Sequence, residues 1–134
     1  MIRTSFMNRA ALSYFLLTLL VIGCNNDDTY SKFIEGQISE VLPNGVVVDC
    51  SDEVNKGVSG KINSIGYNCF IQFKDDTKFI DDKGEILTKN DYTRSQTVKV
   101  TLDTPENIRR WHSTEASKRS VIKASSIVLV PSKR

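Results

Sequence analysis

Few residues in this 134-residue chain are equipped for covalent or metal chemistry: three cysteines, Cys24, Cys50 and Cys69, and one histidine, His112. Any nucleophilic triad would have to take His112 as its base, yet no G-x-S-x-G elbow or comparable frame presents a serine to it. His112 follows Trp111 near the expected end of a short helix, beside Arg109 and Arg110, where an imidazole commonly serves as a dipole-compatible surface residue. Cys50, Cys69 and His112 could supply three zinc ligands, but the chain has no C-x-x-C pair and a disulfide would compete for both sulfurs. The acidic pairs Asp75-Asp76 and Asp81-Asp82, with Glu85, lack the order of an EF-hand loop and read as acidic turns. Gly57-Val58-Ser59-Gly60 is not followed by the Lys-Ser/Thr of a phosphate loop. Paired carboxylates for glycoside hydrolysis are defined by separation in space, which nothing in the sequence indicates. The expectation is no catalytic residues, no metal and no cofactor: not an enzyme.

A second set of residues suits recognition. Tyr67, Phe70, Tyr92 and Trp111 are candidate stacking groups, and Arg94, Lys99, Arg109 and Arg110 candidate contacts to phosphate. The competing reading is that aromatic side chains of a small β-protein fill its core. From these we take Tyr67, Tyr92, Arg94, Arg109, Arg110 and Trp111 as the candidate binding set. Charge is lopsided: residues 24–93 carry 13 acidic and 7 basic side chains, residues 94–134 carry 3 and 9. Such asymmetry can mark an anionic partner, although compact domains usually interleave their halves into solvated faces.

The third cysteine belongs to a different context. Arg3 and Arg9 precede Ala10 to Ile22, an apolar run of thirteen residues, and no acidic residue occurs before Asp27. A membrane-spanning helix needs about 20 residues, whereas a basic start followed by about 7–15 apolar residues is a secretory signal. The run ends in Val21-Ile22-Gly23-Cys24, which resembles the lipobox of bacterial lipoprotein precursors. The resemblance implies that residues 1–23 are a signal peptide cut between Gly23 and Cys24, with lipid (diacylglyceryl, and acyl chains such as palmitate) on Cys24. Two acyl chains suffice for stable anchoring where one does not. The protein would then face outside the cytoplasm on the cell membrane or outer membrane. Its partners would be that membrane and an envelope protein, glycan or ligand, with nucleic acid out of reach. Export leaves Cys50 and Cys69 as an even pair in an oxidising compartment, so a disulfide is expected, two buried thiols being the alternative.

Residues 24–32 read as the lipidated cysteine and a polar tether, and 33–134 as a single domain. Strands are expected at Phe33–Leu42, with Ile34, Gly36, Ile38 and Glu40 on one face, at Val46–Val48, and from Lys61 to Lys74. Asp75-Asp76 then marks a turn, and Asp81–Gly84 joins a hairpin between Thr77–Ile80 and Glu85–Thr88. Gln96–Asp103 alternates cleanly, burying Val98, Val100 and Leu102. Thr104-Pro105-Glu106 reads as a helix start, with a helix to Trp111 and a further turn at Glu115–Lys118; Val121–Val130 is the last strand. Ser51–Gly60 reads as a loop.

Six or so short strands with one short helix make the chain all-β, with a small antiparallel OB-like barrel expected and a twisted open sheet or sandwich as the alternative. The layout loosely resembles small lipid-anchored β-barrel proteins of unknown function in bacterial envelopes. The expected role is a lipid-anchored binding or interaction module. The alternatives are a surface inhibitor or immunity-type protein, using a protruding Asp52–Gly60 loop, and a small envelope hydrolase.

Overall fold

The computed structural model describes residues 29–56 and 66–131. The signal-peptide reading, the Val21-Ile22-Gly23-Cys24 motif and the Gly57–Gly60 stretch lie outside the described residues. Five strands form a closed barrel: β1 (Ser31–Leu42), β2 (Gly45–Asp49), β3 (Asn68–Asp81), β4 (Thr97–Glu106) and β5 (Ile122–Val130). Two short helices, α1 (Ser51–Val54) and α2 (Ile108–Ser113), follow β2 and β4. Around the barrel the order is β1-β2-β3-β5-β4, closing back onto β1. The all-β barrel expected from the alternation is therefore present, in an order consistent with an OB-like layout. It is not wholly antiparallel: β3 and β5 run parallel, because the segment returning from β4 crosses to the far side of β3.

Closure depends on β1, which serves two neighbours. Ser31–Gln37 pairs with β4, and Ile38–Leu42 pairs with β2. The change of partner occurs next to Gly36, where a Cβ would lie 1.9 Å from the Asp49 carbonyl oxygen. Only glycine lets the two backbones approach this closely. A register shift between Ile38 and Glu40 then turns Glu40 to solvent, off the face it was expected to share with Ile34 and Ile38, and Val41 packs against the core.

The core is aliphatic. Ile34, Val48, Cys50, Cys69, Ile71, Val98, Val100 and Ala124 are fully buried, with Ile108 from α2 beside them. The alternation in β4 is as expected: Val98, Val100 and Leu102 point inward.

Other expectations are corrected. Asp75-Asp76 is not a turn but the exposed crest of a bulge inside β3, where the β5 register shifts between Phe73 and Lys78. The Thr77 hydroxyl repairs the ladder there, accepting from Lys74 N at 2.7 Å and donating to Ala124 O at 2.7 Å. Glu85–Thr88 makes no strand beyond a bridge between Ile80 and Ile86. The turn before it does form: Asp81 Oδ1 accepts from Lys83 N and Glu85 N, and Gly84 takes φ +81°. β4 runs through Thr104-Pro105-Glu106, and the helix starts only after Asn107, whose side chain accepts from Arg110 N at 3.0 Å. Asn is the stronger N-cap, and Ile108 is the first apolar residue able to enter the core. Ser51–Val54, read as loop, is one helical turn that buries Val54.

Tyr92 is corrected most clearly. It is 6% exposed, and its hydroxyl lies 2.7 Å from Ile127 O and 3.1 Å from Ile80 O. Burial, assisted by Asp91 and Asp81, pushes the phenol up to about 12. It is a core tie, not a stacking platform. Tyr92→Phe is expected to lower the unfolding free energy by about 1 kcal/mol in urea denaturation, the net worth of one buried hydrogen bond.

Candidate functional site

Chemistry gathers at the end of the barrel capped by α1 and α2. Cys50 follows β2 and Cys69 opens β3, two strands whose pairing sets Val48 against Cys69. Their sulfurs are joined in a disulfide with Cα atoms 5.9 Å apart. From α2, His112 turns its Nε2 onto that bond, 3.4 Å from Cys50 Sγ and 3.5 Å from Cys69 Sγ. The ring makes edge contacts with Tyr67 and Trp111, with centroids 5.2 and 5.0 Å away. Its carbonyl accepts from Arg119 Nη2 at 2.9 Å. Burial, and then the Arg119 charge, hold the imidazole below its ordinary value, while a bond to the Asn68 backbone opposes them. It is therefore neutral near pH 7, with a lone pair on one nitrogen. The surface histidine expected from the sequence is instead half-buried.

Beside this cluster opens a groove of about 340 Å³, lined by Tyr30, Glu106, Arg110, Trp111, Lys118 and Arg119 among others. Trp111 forms its aromatic wall, fixed by Nε1 donating to Ser120 O at 2.8 Å. The Arg119 guanidinium stacks 4.6 Å from the Trp111 ring and donates through Nε to Thr114 O at 2.9 Å. Lys118 is engaged with Glu115 at 3.5 Å. The Arg110 side chain lines the groove and makes no hydrogen bond or ion pair with the described residues.

The candidate binding set is thus divided. Arg110 and Trp111 line the groove, and Tyr67 stands behind it against His112. Arg109 is occupied in tying α1 to α2, donating to Val54 O at 2.9 Å and to Lys56 O. Arg94 lines a different groove with Asp82, Leu129 and Pro131. Lys99 lies over the Phe33 ring at 4.7 Å. Tyr30 and Arg119 were missed: Tyr30 sits in a polar stretch with no pattern around it, and Arg119 meets Trp111 only because the chain folds back after α2. The proposed protruding loop is partly docked, since α1 packs against α2.

Folding keeps the charge asymmetry only in part. β4 and β5 are neighbours in the barrel, but Lys99 and Lys123 on them are matched by Asp103 and Glu106. The two halves interleave: Lys74 pairs with Asp103 at 2.8 Å, and Lys99 stands opposite Glu35. Arg110, Lys118 and Arg119 do gather, around the Trp111 groove. Glu35, Asp49, Asp52 and Glu53 line a separate acidic groove between β1 and α1. No helix among the described residues is long and apolar enough to cross a membrane. The chain matches no protein-family model, and neither a curated protein nor a solved structure matches it significantly.

Proposed function

We propose that the protein is a lipid-anchored module of a bacterial envelope that binds an anionic ligand in the Trp111 groove. The observation that carries the reading is Arg110 without a described partner beside a fixed Trp111, in a groove that Lys118 and Arg119 also line. A guanidinium and an indole face together favour a phosphate- or carboxylate-bearing ligand with an apolar or planar portion. The anchor supplies location. Tyr30 lines the groove and stands six residues after Cys24, so lipid on that thiol would hold the groove within about 20 Å of the bilayer at about 3.3 Å per residue.

Two measurements test the two halves of the reading separately. Wild type expressed in a lipoprotein-processing bacterium should lose residues 1–23, gain acyl mass and partition into detergent, and Cys24→Ala should do none of these. An unprocessed, lipid-free wild type overturns the anchor. For the ligand, Trp111 is the only tryptophan and reports on the groove directly. Its fluorescence should saturate with a glycerol-phosphate oligomer and not with dextran. Arg110→Glu should weaken that binding about 10-fold or more, as loss of a charged hydrogen bond implies. An unchanged titration in Arg110→Glu overturns the groove.

A further inference from the structure

We propose that breaking the Cys50–Cys69 bond converts this end of the barrel into a metal site, with Cys50 Sγ, Cys69 Sγ and His112 Nε2 as three ligands for zinc and a fourth position open. The geometry is the argument. Tetrahedral zinc with Zn–S of about 2.3 Å and Zn–N of about 2.0–2.1 Å requires N···S edges of about 3.5 Å and an S···S edge of about 3.8 Å. Both N···S edges are in place at 3.4 and 3.5 Å. Among the described residues this is the one group of three candidate ligand residues whose donor atoms lie together, all within 4.8 Å of one another. Only the S···S edge must open. Cys50 and Cys69 stand at the ends of paired strands with Cα atoms 5.9 Å apart, so side-chain rotation can part the sulfurs without moving the sheet.

The histidine is the telling member. A disulfide sulfur offers a hydrogen bond only weak acceptance, so little in the oxidised form rewards an imidazole aimed at it. A metal rewards that pose. With Nε2 at the sulfurs, Nδ1 is left for an outer contact of the kind that metal-ligating histidines usually make. Tyr67 and Trp111 fix the ring plane.

The conversion balances. A small dithiol reduces Cys50–Cys69 by exchange, giving two protein thiols and its own cyclic disulfide. Zinc then binds two thiolates and one neutral imidazole, releasing two protons to solvent. The site takes no ligand atom from the Trp111 groove and needs no lipid on Cys24.

The test uses the full chain carrying Cys24→Ala, so that Cys50 and Cys69 are the only thiols, reduced with dithiothreitol and freed of it under anaerobic conditions. Cobalt(II) is the optical probe. One equivalent per reduced chain should give thiolate-to-cobalt charge-transfer absorption, zinc should displace it, and the oxidised chain should give none. His112→Ala should weaken binding by about 100-fold or more, at least the upper end of what loss of an outer-sphere partner costs. Circular dichroism accompanies each titration. A folded, reduced chain without the absorption overturns the proposal, as does unchanged affinity in His112→Ala. A chain that unfolds on reduction and is not refolded by zinc overturns it as well.

Discussion

Gly36→Ala should abolish the closed barrel or cost it about 3 kcal/mol or more, at or beyond the upper end of overpacking penalties. The added methyl would meet the Asp49 carbonyl oxygen at 1.9 Å and its carbon at 3.0 Å. Those are backbone atoms, so no rotamer change relieves the clash. Either β1 or the end of β2 must shift. The end of β2 is not free to do so: Asp49 Oδ1 accepts from Ser51 N at 2.9 Å, and Cys50 next to it is bonded to Cys69. Damage at Gly36 therefore travels to the His112 cluster. The expected record is a large drop in urea midpoint together with a changed Trp111 emission. Gly84→Asn is the control. Gly84 has φ +81° but nothing within 4 Å of its Cβ position, and Asn visits that backbone region more readily than other residues. A Gly36→Ala protein as stable as Gly84→Asn would refute the close approach of β1 and β2.

The second large effect belongs to the disulfide. Cys50→Ala/Cys69→Ala should lower stability by about 3 kcal/mol, the chain-entropy value for a loop of roughly this length. Both sulfurs are fully buried, so the cavities left behind add to the loss. The bond links the end of β2 to the start of β3, the only adjacent strands in the chain order joined across α1. Without it, that junction relies on Cys50 N donating to Tyr67 O at 2.8 Å and Tyr67 N donating to Ser51 Oγ at 2.9 Å. Urea denaturation of the oxidised wild type against the double variant measures the difference. Equal midpoints would show that the staple constrains nothing the native contacts do not already hold.

How far the sequence led differs from element to element. β4 was legible because one face is buried and the other solvated, so Val98, Val100 and Leu102 recur at period two. β3 was not, since Asp75-Asp76 has the composition of a turn and only Thr77, by bonding to Ala124 O on another strand, carries the chain through it. The helix start was misplaced by three residues because Thr104-Pro105 has the local chemistry of a cap while β1 still holds Glu106 in the sheet. Local propensity lost to tertiary pairing in both cases. For the site, residue types were readable and their meeting was not. Cys50, Cys69 and His112 come from three elements, and nothing short of the strand order brings them together. The charge asymmetry was visible, but folding sets Lys74 against Asp103 and Lys99 opposite Glu35 from the other half, and gathers only Arg110, Lys118 and Arg119 at the groove.

The division of β1 between two partners has a consequence for the order of assembly. A chain made from its N-terminus presents β1, β2 and β3 early, and Ile38–Leu42 can pair with β2 at once. Ser31–Gln37 must wait for β4, which begins at Thr97. Until then its backbone donors and acceptors stand open, an unfinished edge of the kind that recruits strands from other chains. Lys32 and Glu35, both exposed, place charge along this edge and discourage such recruitment. The seam between β1 and β4 therefore holds the most distant pairing in the chain, the kind of contact that slows folding, and β5 must still enter between β3 and β4 to close the barrel.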